Sequence, residues 1–426
     1  MKPKLISLFT GAGGLDLGFE KAGFETAVAL EMDPAAVATL KANQERYRRR
    51  VISKDVHDVT SEEILRRAGL EEGEADALIG GPPCQPFSKS GYWSSGDTLR
   101  LDDPRAGTLA AYLRVLRDTL PRSFLLENVP GLAYRSKDEG IELISRTLDQ
   151  VNRERGTEYW LAIAKLNAAD YGVPQMRERV FVIGARDGTE FRFPAPTHGD
   201  VEGRGLDPPN LEPYRTAWDA IGDLEDERAA ELFLRGKWAD LLPSIPEGEN
   251  YLWHTERGGG LALFGWRRRY WSFLLKLSKS RPSWTLQAQP GPAIGPFHWQ
   301  NRRLSARELC RLQTVPDDYQ VVGNLAEVQR QLGNAVPSAL AEVLALAMRR
   351  QLLGHTRVRR KPRLIPPRWK PVPAPEATEP VAPKYLHLVG EHEAHPGTGK
   401  GYAARRRDRE AEKGEVVAEV APLFAG

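Results

Sequence analysis

Lys4-Leu5-Ile6-Ser7-Leu8-Phe9-Thr10-Gly11-Ala12-Gly13-Gly14 decides how the first half of the chain is read. A short apolar run ends in a glycine cluster, and Leu15, Leu17, Phe19 and Ala22 then recur at helical spacing. Strand, glycine turn and helix in that order is the opening of an open α/β sheet. Glycines at such a turn let a ligand approach the backbone, and the helix N-terminus favours its negative end. Working outward, Thr26 to Leu30 reads as a second strand ending in Glu31. Asp33-Pro34 then reads as a helix cap with proline at the first helical position. Ala75 to Ile79, Ser123 to Leu126 and Val180 to Gly184 are further strands, separated by helical patterns over 106–119 and 138–153. This alternation predicts a parallel-rich sheet with helices on both faces. Ser305-Ala306-Arg307-Glu308 is a capping box, and 338–353 reads as a final amphipathic helix.

Charge divides the 426 residues unevenly. The total, 60 Lys+Arg against 57 Asp+Glu, is only +3. Residues 186–256 hold 7 cations and 16 anions, whereas 257–307 hold 10 cations and no anion, with Trp266, Trp271, Trp284 and Trp299 among them. An anion-free basic stretch with aromatics suits a phosphate-contacting surface, although a single tryptophan there is better read as core. Residues 355–426, with 14 Lys/Arg, 9 Asp/Glu and 10 Pro, have a composition expected to stay disordered, either as an auxiliary nucleic-acid arm or as a solubilising tail. Two cysteines exclude a disulfide framework and a cysteine-based zinc site, and no metal is expected. No apolar run of about 18 residues and no secretory leader is present, so a cytoplasmic protein is expected.

Three later segments carry chemistry. Gly80-Gly81-Pro82-Pro83-Cys84-Gln85-Pro86-Phe87-Ser88 follows an apolar strand, so Cys84 projects at the carboxyl edge of the sheet, where such folds bind ligands. A core cysteine needs no such rigid backbone; a thiolate nucleophile does. Phe124-Leu125-Leu126-Glu127-Asn128-Val129-Pro130 ends another strand in a carboxylate. Gln175, Arg177 and Arg179 alternate, which puts all three on one face.

Together with Gly333-Asn334-Ala335-Val336-Pro337, these blocks in this order closely resemble the DNA (cytosine-5)-methyltransferases of bacterial restriction-modification type, over roughly residues 4–352. Departures are slight: Ser7 and Ala335 stand where the family often has Asp and Ser. The resemblance implies a Rossmann-like methyltransferase domain, 1–188 plus 325–354, binding S-adenosyl-L-methionine, and a smaller irregular target-recognition domain, 189–324. It implies catalytic roles for Cys84, Glu127, Arg177 and Arg179. The cofactor is expected on Phe9, Gly11, Gly13, Gly14, Glu31, Met32, Asp55, Pro83 and Asn334, with Glu31 taking both ribose hydroxyls, Met32 stacking on adenine and Asp55 reading its amino group. Duplex DNA is the expected partner, met by Gln85, Ser88, Arg267, Arg268, Arg269, Lys276, Lys279 and Arg281. A monomer without membrane contact is expected, acting at the nucleoid either with a restriction endonuclease of the same specificity, without a stable complex, or as an orphan. Three competing readings fit less well. A tRNA-modifying relative would carry a Cys-Phe-Thr signature, but no cysteine lies between Cys84 and Cys310. A silent DNA-binding homologue would have lost Cys84 or Glu127. A dinucleotide oxidoreductase leaves the Cys84 and Arg179 blocks unexplained.

Overall fold

The computed structural model describes residues 2–47, 50–83, 107–130, 139–200, 211–224, 230–266, 271–355, 357–359 and 361–392. Seven strands form one sheet: β1 (Lys4–Leu8), β2 (Glu25–Glu31), β3 (Val51–Ser53), β4 (Ala77–Gly80), β5 (Ser123–Asn128), β6 (Trp160–Asn167) and, after the two-residue β7 (Gln175–Met176), β8 (Glu178–Ala185). Their order is β3-β2-β1-β4-β5-β8-β6. The first five pair in parallel, as the alternation predicts, while β8 runs antiparallel between β5 and β6. The reversal follows from connection length. Parallel neighbours need a crossover of a dozen or more residues, whereas only ten separate β6 from β8. Strand β6 was not among the expected strands: Trp160-Leu161-Ala162-Ile163 alternates no polar residues and no turn residue precedes it closely.

Period-two alternation sorts the strand side chains into two cores. Ile6, Leu8, Val28, Leu78, Phe124, Leu126 and Val182 face Ile64, Tyr112, Val115, Leu116 and Leu148, from the helices Ser61–Ala68, Gly107–Thr119 and Glu139–Arg155. Leu5, Ala77, Ile79, Leu125, Phe181 and Ile183 face α1 (Gly14–Lys21) and the closing helix Ser338–Gln351. Those two helices touch closely at Gly18, where an added Cβ would sit 2.5 Å from the Ser338 carbonyl oxygen. Helices therefore cover both faces. Among the described residues, no helix is long and apolar enough to cross a membrane.

The described residues between 211 and 334 are largely irregular, with the short helices Ala217–Ile221, Ala306–Leu312 and Leu325–Asn334. The Ser305–Glu308 capping box forms in both directions, and Glu308 also takes a bidentate contact from Arg302 at 2.8 and 2.7 Å. Trp299 is wholly buried here, as core, but Trp271 and Trp284 are 46% and 38% exposed and pack edge to face.

The expectation of a disordered tail needs correction for residues 357–359 and 361–392. Arg359 pairs with the buried Glu342, whose carboxylate also accepts the Arg363 and Leu364 amides at 2.8 and 2.9 Å. The Trp369 amide bonds Asp219, Glu376 joins Lys279, and Tyr385 is buried over Trp238. Composition misleads here because the segment needs no core of its own. Its prolines preset an extended strap, and its few apolar residues, Ile365 and Tyr385, enter cores made elsewhere.

Candidate active site

The ends of β2, β1, β4 and β5 and the start of β8 are consecutive along one edge of the sheet. They bring Glu31, the 9–14 turn, Gly81-Pro82-Pro83, Glu127 and Arg179 into one row. The turn is bent by left-handed backbone at Phe9, Gly11 and Gly13 (φ 52°, 57° and 79°), a conformation that costs glycine nothing. Glu31 is the peg it wraps around. Its Oε2 accepts the Gly11 amide at 2.7 Å, and Oε1 accepts the Met32 and Asp33 amides at 2.8 Å each. Met32 is 62% exposed beside it. Asp33 caps α2 (Pro34–Ala42) by accepting the Ala36 amide, as expected, and also pairs with Arg330, which holds its carboxyl below the usual range. Asp55 is half-exposed. The His57 amide and ring engage its Oδ1, at 3.0 and 2.7 Å, and hold its pKa down. Asn334 is exposed at the end of its helix, next to the Ala335-Val336 turn that packs on Gly14.

Glu127 lies one residue from the end of β5, buried, with its carboxylate 2.9 Å from Arg179 Nε. Burial raises its pKa, opposed by the charges of Arg179 and Arg177. Gly81 is needed beneath it: a Cβ there would come within 2.8 Å of Glu127 Oε2. Asn128 Nδ2 donates to the Pro82 carbonyl and Thr108 Oγ1 to that of Pro83, which ties down the backbone leading to Cys84. Gln175 and Arg177 are fully buried. Arg177 donates to the Leu286 and Gly333 carbonyls (3.3 and 2.7 Å), and Gln175 to that of Leu312. Burial draws the Arg177 pKa well down, yet a guanidinium keeps its proton at neutral pH.

A carboxylate with a raised pKa, an arginine against it and a glycine turn pegged by a second carboxylate, in one row, is an arrangement for nucleoside-like chemistry. The C-5 cytosine-specific DNA methylase model matches residues 3–350. The chain belongs to that family. It is a DNA (cytosine-5-)-methyltransferase. The chain is 41% identical to the Type II methyltransferase M.SacI of Streptomyces achromogenes, over 82% of this chain and 93% of that protein. It is 32% identical to M1.HphI of Haemophilus parahaemolyticus, over 80% and 86%. In fold it is similar to an E. coli prophage protein described as a DNA modification methyltransferase, with TM-score 0.58, 24% identity and 83% of this chain and all of that one covered. The methyltransferase EhMeth of Entamoeba histolytica shares the fold at TM-score 0.55 and 14% identity, over 83% of this chain and 99% of that one.

For this methylase, Cys84, Gln85, Ser88, Arg267, Arg268 and Arg269 lie outside the described residues. Two expected DNA contacts are corrected. Lys276 is buried, donates to the Ile245 carbonyl, and has its pKa pushed down by burial to about 8. Lys279 is buried between Glu247 and Glu376, at 2.9 and 2.7 Å. Both cations are already satisfied within the protein. The sequence window misled because their partners, the Ile245 carbonyl and the Glu247 and Glu376 carboxylates, come from outside the anion-free stretch. Arg281 is exposed and remains a candidate. Sequence reading missed Tyr319, whose hydroxyl donates to the Ala12 carbonyl at 2.9 Å and braces the glycine turn. A lone tyrosine 300 residues away carries no local signal of that role.

Proposed function

We propose that this methylase transfers a methyl group to C5 of a cytosine flipped out of duplex DNA, through a covalent Cys84–C6 intermediate. The observation that carries the reading is the buried Glu127–Arg179 pair on the same edge as the Glu31-pegged glycine turn. Family membership implies dependence on S-adenosyl-L-methionine, and the residues fit it. A carboxylate has about four lone-pair sites, and three of Glu31's accept backbone amides. The fourth, on Oε2, suits one ribose hydroxyl directly, one fewer than the sequence reading expects. Exposed Met32 offers an apolar face to adenine, and Asp55 Oδ2 is the oxygen left for its amino group. Gly11, where an added Cβ would meet nothing within 4 Å, leaves room over the turn; Phe9, Gly13, Gly14, Pro83 and Asn334 border the same place. When bound, the cofactor supplies an electrophilic methyl group to the ring's C5.

The chain's own residues prepare that carbon. The Cys84 thiolate adds to C6, and the ring π pair moves so that C5 becomes nucleophilic while N3 takes a proton from Glu127. An ordinary glutamate would cost about 4 kcal/mol to protonate at pH 7.5, at ~1.4 kcal/mol per unit; burial reduces that cost. Arg179 holds Glu127 and, as the base arrives, the cytosine O2. Arg177, locked on two carbonyls, fixes the strand that carries Arg179. Solvent then takes the C5 proton, N3 returns its proton to Glu127, and the Cys84 thiolate leaves as the C5–C6 double bond re-forms. Reaching the base requires flipping it, a few kcal/mol that contacts along the duplex offset. Gln85, Ser88, Arg267, Arg268, Arg269 and Arg281 are assigned those contacts. Residues 1–188 with 325–354 form the catalytic unit and 189–324 the recognition unit. The enzyme acts as a monomer in the cytoplasm, protecting sites that a companion endonuclease cuts. Duplex carrying 5-fluorocytosine at the target should trap the protein covalently when S-adenosylmethionine is present; trapping by Cys84→Ser would sink the mechanism.

A further inference from the structure

Where the strap passes Gly172 and Arg215, it meets a group of nitrogen donors that the methylation chemistry does not use. Gly172 is left-handed (φ 85°) and pressed on two sides: an added Cβ would lie 2.8 Å from His198 Cε1 and 2.9 Å from Ile365 Cδ1. Arg215 Nε donates to the Pro366 carbonyl at 3.0 Å, and its Nη2 pairs with Glu212 at 2.9 Å. These contacts bring three segments together: 197–199, 212–216 and 361–368. Around their meeting point Arg215 Nη1, Arg368 Nε, Arg368 Nη1 and His198 Nε2 are all buried with no hydrogen-bond partner among the described residues. The Arg215 side chain is 11% exposed and His198 4%. Glu212 is the carboxylate at hand, 2.9 Å from Arg215 and 3.7 Å from His198 Nε2; among the described residues Arg368 forms no ion pair.

We propose that Arg215, Arg368 and His198 form a binding site for a tetrahedral oxyanion of the phosphate or sulfate type, which fastens the 361–368 strap to the body of the enzyme. A guanidinium N–H matches such an anion; Arg368 Nε and Nη1 point to different sides of the group, so one of them supplies a donor beside Arg215 Nη1 and His198 Nε2. Thr197 Oγ1 lies 2.9 Å from His198 Nδ1; when it donates there, Nε2 carries the proton and can donate to the anion. Burial and the neighbouring Arg215 hold the ring pKa near 4, so His198 is neutral and the excess charge comes from Arg215, Arg368 and Lys361 against Glu212. The same chemistry is carried by free inorganic anions and by a DNA backbone phosphate.

Thermal unfolding of the full chain in sodium sulfate or phosphate, against sodium chloride at equal ionic strength, tests the site. A wild-type midpoint ~2–4 °C higher in the oxyanion, beyond what Arg368→Gln gains, assigns a free anion. Sulfate stabilises proteins generally, so only the difference between wild type and variant counts. A duplex-binding salt slope reduced by ~1 in Arg368→Gln, in chloride alone, assigns a backbone phosphate. Arg215→Gln should behave alike, and if it fails to fold, Arg368→Gln alone decides. Equal responses of wild type and Arg368→Gln in both assays overturn the proposal.

Discussion

At the scale of single residues, the site is a contest between burial and charge at Glu127. Burial pushes its proton affinity up, and Arg179 at 2.9 Å pulls it down. On the proposed mechanism, Glu127→Gln removes the N3 proton donor and should lower kcat ~10²–10⁴-fold while leaving cofactor affinity unchanged, measured by single-turnover methylation and calorimetry. Arg179→Gln removes the opposing cation, so the alkaline limb of the residual pH–rate profile should move to higher pH. An unmoved limb would separate Arg179 from the acid's titration. Lys276 gives a stability signature with the opposite chemistry. Its folded pKa is about 8 against 10.5 unfolded. Below pH 8 both states hold the proton; between 8 and 10.5 only the unfolded state does, so stability rises with pH there, by at most about 1.4 kcal/mol per unit. Urea titrations of Lys276→Met across that window should show a flatter rise. Cys84 lies outside the described residues; the placement of Glu127 and Arg179 at the sheet edge was legible because strand ends punctuate them. The satisfied state of Lys276 and Lys279 was not, since Glu247 and Glu376 lie 32 and 97 residues from Lys279.

At the scale of elements, most of the sheet follows from local pattern. β1, β2, β4, β5 and β8 were readable as apolar runs ending in turn residues. β6 was not, because an edge strand exposed along much of its length carries neither a clean alternation nor a fully apolar run. The fit of α1 on the closing helix is set by one position. Gly18→Ala would put a methyl group 2.4 Å from Ala341 Cβ and 2.5 Å from the Glu342 nitrogen. Backbone cannot yield to it cheaply, so a loss of roughly 1–3 kcal/mol in denaturant unfolding is expected.

At the scale of the whole molecule, the strap joins what domain reading separates. It leaves the closing helix, holds Glu342, and reaches Asp219, Glu247 and Trp238 in the irregular region. Ending the chain at residue 355 strands the buried Glu342 carboxylate without Arg359 or the two strap amides. Unpaired buried charge of this kind costs about 3–5 kcal/mol, so the truncated enzyme should unfold at clearly lower temperature in calorimetry. An unchanged midpoint would mean the strap adds nothing. Composition alone could not reveal this, because each of the strap's contacts is with a distant partner.

The seat of α1 on the closing helix also sets a clock for biosynthesis. α1 starts at Gly14 and its bed at Ser338, about 320 residues later. At ~5–20 residues per second the ribosome takes roughly 15–65 s to deliver the second after the first. Throughout that interval Phe19, Leu5 and Ile79 lack the Leu340, Leu344 and Met348 that cover them in the finished enzyme. Nascent chains stalled before residue 338 should therefore recruit holdase chaperones and be cut readily by protease, while chains stalled well past 351 should not.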